Sequence, residues 1–145
     1  MQESPVILLA EDDDGHALLV RSGLKKAGFH NRVVRFCDGE EALGFLTGPE
    51  GPPRIPSPVV LMLDIRMPKM DGIEVLRRIR ANDAFDAMPV VMVTTMDDPW
   101  EMERCRQLGC NFYIVKPVDW KLFSTALIDL TGLLSPQEWT APSEN

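Results

Sequence analysis

Residues 59–64 read Val59-Val60-Leu61-Met62-Leu63-Asp64. Five apolar residues in a row have the length of a strand, not of a helix. The Pro/Gly-rich stretch 47–58 bounds the run upstream and an acid bounds it downstream. Successive strand side chains point to opposite faces, so a run that is apolar throughout is buried on both. Such strands belong to parallel sheets covered by helices. The rest of the chain repeats the pattern. Apolar runs at Val6–Ala10, 89–93 and Phe112–Val115, and a strand with a β-branched centre at 32–36, alternate with helical spacings. The spacings are Ala17, Val20, Leu24 and Ala27; 40–46; Ile73, Leu76 and Ile79; Met102, Cys105 and Leu108; and Phe123, Ala126, Leu127 and Leu130. Five strand–helix pairs predict a doubly wound α/β domain, a five-stranded parallel sheet with right-handed crossovers and helices on both faces. Asp98-Pro99 supplies an N-cap and a proline at the first helical position, and Asp119 caps the last helix.

A chain of 145 residues, 45% of them apolar, suits one domain, assigned here to 1–133 with 134–145 as a C-terminal tail. The net charge of −7 carries no basic footprint for DNA and points to protein partners or divalent cations. Cys37, Cys105 and Cys110 form no CxxC pair and read as reduced thiols. No pure apolar run exceeds five residues, and the N-terminus lacks a signal-peptide pattern. A membrane span is not expected and a cytoplasmic location is. A helix cannot cross the Pro/Gly-rich loop 47–58, for which the residues suggest no role.

In a doubly wound sheet, ligands bind at the carboxyl ends of the strands. The residues standing there are Glu11, Asp12 and Asp13 after the first run, Asp64 after the third, Thr94 and Thr95 after the fourth, and Lys116 and Pro117 after the fifth. Clustered carboxylates repel unless a cation compensates, and hard Mg²⁺ takes oxygen ligands. A carboxylate such as Asp64 can attack phosphorus. What remains is positioning and charge neutralisation, for which the Lys116 ammonium and the Thr94 hydroxyl are suited.

The blocks Leu8-Leu9-Ala10-Glu11-Asp12-Asp13, Leu61-Met62-Leu63-Asp64-Ile65-Arg66-Met67-Pro68-Lys69-Met70-Asp71-Gly72, Val91-Met92-Val93-Thr94-Thr95 and Tyr113-Ile114-Val115-Lys116-Pro117 resemble the signatures of response-regulator receiver domains, over roughly residues 5–131. The resemblance implies a flavodoxin-like strand order 2-1-3-4-5 and Asp64 as phosphoacceptor. It implies Mg²⁺ bound by Asp12 directly, by Glu11 mostly through water, by Asp64 and by the Arg66 carbonyl. It further implies Lys116 bridging to the phosphoryl group, with a cis bond before Pro117. Thr94 and Tyr113 would form a switch acting on the surface of the fourth helix, fifth strand and fifth helix. The partners implied are a sensor histidine kinase and a downstream protein or phosphotransfer protein. Asp38-Gly39-Glu40-Glu41-Ala42-Leu43, the Pro-rich loop and the run from Gly109 to Asp119 are similar to stand-alone regulators of bacterial phytochrome kinases. That similarity implies a homodimer through the last helix and strand. Arg66, two residues after Asp64, and Met96, two after Thr94, occupy positions that influence phosphoryl lifetime, so the dephosphorylation rate stays open.

Simpler readings stand beside these. Asp13 and Asp14 read as a solvated turn, since an EF-hand needs alternating ligands, a central Gly and a distant Glu. Thr95 reads as a strand residue. His16 and His30 lack partners at useful spacing and read as surface residues. Trp100, Trp120 and Trp139 are possible interface anchors, Trp120 the best placed. An aspartyl phosphatase would commonly carry a second acid where Arg66 stands. A phosphate-independent scaffold predicts no phosphorylation. A flavin binder is disfavoured because the first loop is acidic where phosphate wants bare N–H groups.

Overall fold

The computed structural model describes residues 6–26, 29, 32–49, 51–52, 59–119 and 121. Its elements, in chain order, are β1 (Val6–Ala10), α1 (Asp14–Lys26), β2 (Val33–Phe36), α2 (Gly39–Thr47), β3 (Val59–Leu63), α3 (Gly72–Arg80), a 3₁₀ turn (Asp83–Phe85), β4 (Val90–Thr94), α4 (Pro99–Leu108) and β5 (Phe112–Val115). The five strands form one sheet in the order β2-β1-β3-β4-β5. Every neighbouring pair is parallel. The expected fifth helix around Phe123–Leu130, with Trp120, Trp139, His30 and the boundary of the tail, lies outside the described residues.

Strand alternation divides the core. Val6, Leu8, Ala10, Leu61 and Leu63 face one side, where Ala42 and Leu46 of α2, Ile73, Leu76 and Ile79 of α3 and Cys105 of α4 cover them. Ile7, Leu9, Val60 and Met62 face the other, against Ala17, Val20 and Leu24 of α1. This is why β1 and β3 are apolar at every position: each has a helix layer on both sides. The edge strands are less buried, and β2 can therefore carry Arg35.

Two strands, β2 and β4, differ from their expected bounds. Arg32 and Pro89 stand just outside β2 and β4, where their carbonyls accept from Ile7 and Leu61. At the other end, β4 extends to Thr94, whose pairing with Val115 keeps it in the ladder. The helix starts are capped by side chains. Asp38, Asp71 and Asp98 accept from the backbone N–H of Glu41, Glu74 and Trp100. The α4 end is a Schellman motif. Gly109 takes φ 107°, its N–H bonds Arg106 O at 3.0 Å, and the Cys110 N–H bonds Cys105 O at 3.0 Å. Arg80, at the end of α3, locks this corner. Its Nε donates to Gly109 O at 2.9 Å, Nη1 to Phe85 O at 2.7 Å and Nη2 to Met88 O at 2.7 Å. One guanidinium thus ties three carbonyls of two connections, α3–β4 and α4–β5, to the end of α3.

Candidate functional site

At the carboxyl edge of the sheet, three polar groups sit deep in the fold: Glu11, Asp64 and Thr94 are 1%, 7% and 0% exposed. Burial of a charged or polar group costs free energy unless partners compensate, so their partners define the site. Asp64, directly after β3, is fixed from both sides. Its Oδ1 accepts from its neighbour's Ile65 N–H at 2.7 Å, and its Oδ2 lies 3.2 Å from Lys116 Nζ. The same ammonium donates to Glu11 Oε1 and lies 3.1 Å from His16 Nδ1. Three acceptors thus converge on one lysine reaching over from the end of β5. Burial raises the Glu11 carboxyl above its ordinary range; the Lys116 bond opposes this, and the charge of Asp64 adds to it.

The backbone around Asp64 is as constrained as its side chain. Gly72 opens α3 with its N–H on Ile65 O at 2.8 Å. A Cβ there would stand 2.1 Å from Asp64 O, so the loop closes only because residue 72 has none. Across the site, the Lys116 N–H bonds Thr94 O at 2.7 Å, and the Lys116–Pro117 bond is cis. Thr94 Oγ1 accepts from Met96 N–H at 3.3 Å.

The expected strand-end residues divide by position. Glu11, Asp64 and Lys116 are brought together, and Thr94 ends the adjoining strand β4. Asp12 and Arg66 are both exposed, in the loops following β1 and β3. Asp12 is outside the group of Glu11, His16 and Asp64, whose ligand-type atoms lie within 4.8 Å of one another. His16 is a correction: it has partners at the centre of the site, although its side chain is 41% exposed. Helix α1 begins at Asp14, so its first turn carries His16 back over the end of β1. A histidine five residues past a strand-end acid was the available signal. Arg35 also went unnoticed. From β2 its Nε donates to Glu11 O at 2.9 Å and its Nη1 to Asp14 Oδ1 at 2.7 Å, fastening the acidic loop to the sheet. Beside the site, His16, Leu19, Val20, Thr95, Lys116, Pro117 and Val118 line an open cavity of about 350 Å³.

Tyr113 is partly buried, and its hydroxyl donates to Met96 O at 2.6 Å. This links β5 to the loop that follows Thr94. Burial, reinforced by Cys105 and Glu101, pushes its phenol from the usual 10 up to about 12. A group raised in the folded state contributes stability that is complete below pH 10 and lost as pH rises through about 12. Tyr113 is the chain's one tyrosine, so alkaline ultraviolet titration reads it alone. A tyrosinate midpoint near 12 is expected; one near 10 would mean the hydroxyl is solvated.

Comparison with known proteins agrees with this geometry. The family model for the response regulator receiver domain matches residues 7–127. A chemotaxis protein CheY homolog of Campylobacter jejuni is 31% identical over 126 residues, covering 87% of this chain and 92% of the relative. Among solved structures, the bacteriophytochrome response regulator AtBRR superposes with a TM-score of 0.75 at 38% identity, covering 88% of this chain and 93% of that one. The Mn²⁺-bound form of response regulator Rcp1 gives 0.69 at 30% identity, covering 90% and 96%. Sheet order, the acid–lysine site at the strand ends and these matches carry one conclusion: this chain belongs to the response-regulator receiver family.

Proposed function

We propose that this chain is a phosphorylation switch, occupying 1–133 ahead of a tail at 134–145, that accepts a phosphoryl group on Asp64 from a sensor histidine kinase. The observation that carries the reading is the convergence on Asp64. A buried carboxylate lies 3.2 Å from an ammonium that also holds the second buried acid. In the step proposed, an Asp64 carboxylate oxygen forms a bond to phosphorus. The phosphorus–nitrogen bond of the kinase phosphohistidine breaks, and the leaving imidazole takes a proton from solvent. Lys116 balances the incoming charge, and the Thr94 hydroxyl, at the adjoining strand end, can donate to a phosphoryl oxygen.

The donor set fits a divalent cation: the buried Glu11 and Asp64 carboxylates bring hard oxygen ligands within 4.8 Å of one another at the strand ends. Asp64, Asp12, Glu11 and the Arg66 carbonyl are the groups proposed to hold Mg²⁺. Bound there, the cation would supply positive charge to neutralise the phosphoryl oxygens. The message is proposed to leave through Thr94 and Tyr113. Phosphorylation adds about two negative charges at Asp64. A shift of Thr94 toward them would disturb the Met96 loop that the Tyr113 hydroxyl holds. The surface of α4, β5 and the following helix would then change what it binds: a downstream protein or a phosphotransfer protein. The likeness to bacteriophytochrome regulators makes a phytochrome kinase the proposed donor, and a homodimer and a cytoplasmic location belong to the same proposal. The chain is proposed to catalyse only its own phosphorylation and dephosphorylation.

The test is intact mass after incubation with a small phosphodonor. One phosphoryl adduct is expected in Mg²⁺, and a chelator should suppress it. No adduct from either a small donor or a phosphorylated kinase would favour a phosphate-independent binding module. An adduct indifferent to the chelator would remove the metal from the mechanism.

A further inference from the structure

We propose that Arg35, on the edge strand β2, is a positioning residue for the Mg²⁺ site: its guanidinium holds the loop from Glu11 to Asp14 in the path that aims the acids of that loop. The inference rests on the metal site read above, where Glu11 and Asp12 are ligands. Arg35 acts through backbone at one end of the loop and through a carboxylate at the other. Its Nε donates to the Glu11 carbonyl, just past β1, at 2.9 Å, and its Nη1 donates to Asp14 Oδ1, where α1 begins, at 2.7 Å. A planar guanidinium offers these donors at fixed spacing, so one side chain sets the distance between the two ends of the loop. Between them further bonds fix the course of the chain. The Glu11 N–H bonds Phe36 O at 3.0 Å, the Asp13 N–H bonds Glu11 Oε2 at 3.2 Å, and Asp13 Oδ1 accepts from the His16 N–H at 2.9 Å. Within this frame Glu11 turns inward, 1% exposed, and Asp12 outward.

Two features separate Arg35 from an ordinary brace. Its Nη2 is buried without a hydrogen-bond partner among the described residues. A buried donor left unsatisfied lowers stability, so the side chain is not placed for stability alone. The guanidinium also stands beside a site read as binding a cation. By charge alone it would repel Mg²⁺, and removing it would tighten binding. By position it holds two ligands in place, and groups that orient ligands are worth about 10–100-fold in metal affinity. The two roles therefore predict opposite signs for the same substitution.

Calorimetric titration of Mg²⁺ into the parent, Arg35→Ala and Arg35→Lys, with thermal unfolding of each metal-free protein, tests this. Both variants are expected to bind Mg²⁺ about tenfold more weakly. Lysine keeps the charge but not the planar fork, so it should not restore affinity. The unfolding midpoint of Arg35→Lys should stay within about 4 °C of the parent, and a fall well beyond that would make Arg35 a structural brace and overturn its role at the site. Unchanged or tighter Mg²⁺ binding in Arg35→Ala would overturn the proposal, and so would restoration by lysine. Should the alanine variant not fold, Arg35→Lys decides alone: weak binding by a folded protein supports the role and parent-like affinity removes it. A parent that binds no Mg²⁺ would fell the metal-site reading itself, a result distinct from failure of the Arg35 assignment alone.

Discussion

Replacing Asp64 by asparagine is expected to abolish the phosphoryl adduct and to leave the fold at least as stable as the parent. The loss of labelling follows from chemistry: an amide offers no carboxylate oxygen to attack phosphorus. The stability follows from the surroundings. Asparagine keeps an oxygen to accept the Ile65 N–H, and Lys116 keeps its bond to Glu11. What disappears is one of two buried carboxylates whose mutual repulsion helps raise the Glu11 carboxyl. The Glu11 carboxyl should therefore titrate at lower pH in Asp64→Asn, which carbonyl NMR can follow. Persistent labelling of the variant would place the acceptor elsewhere. A large loss of stability would mean that Asp64 pairs with Lys116 to hold the fold together.

The second large effect is structural and reaches the same residue. Gly72→Ala would place a Cβ 2.1 Å from Asp64 O, 2.9 Å from Asp64 C and 3.1 Å from Ile65 Cα. All three are backbone atoms, which cannot rotate away as a side-chain tip would. The α3 start and the strand end must separate, straining the Gly72 N–H bond to Ile65 O. The expected cost is about 3 kcal/mol, read from denaturant unfolding. Displacement of Asp64 should also slow labelling. Gly44→Ala is the internal comparison. Nothing lies within 4 Å of a Cβ there, and the residue sits inside α2. That variant should be unchanged or more stable by up to about 1 kcal/mol. Equal stability of the two variants would mean that the β3–α3 loop is not held as closely as described.

How far these features were legible in the sequence depends on where regular structure ends. The strand positions were legible because burial on both faces leaves an unbroken apolar signature, as in β1 and β3. The strand-end rule then located Glu11, Asp64, Thr94 and Lys116 from one principle of topology. Past the strand ends the alternation stops applying. Whether Glu11 or Asp12 would turn inward was set by the path of the chain into α1, held by the Glu11 N–H on Phe36 O and by Arg35 on Glu11 O. His16 was missed for the same reason. Only its five-residue distance from Glu11 is local; its partner Lys116 stands 100 residues away and 52 residues separate that lysine from Asp64, so most of the cluster leaves no local spacing. Arg35 carries no sequence signal for its role, since its partners Glu11 and Asp14 lie more than 20 residues away across the sheet edge. The close approach at Gly72 left no mark in the sequence, because only the fold brings the Asp64 and Ile65 backbone against that residue.

The central claim is that Asp64 carries the phosphoryl group. Borohydride reduces an acyl phosphate on aspartate to homoserine, so reduction after phosphorylation followed by peptide mass mapping names the acceptor directly. The account predicts homoserine at position 64 and at no other aspartate, with the conversion dependent on the phosphodonor and on Mg²⁺. Homoserine at Asp12 or Asp71, or a phosphorylated protein that yields none, would contradict it.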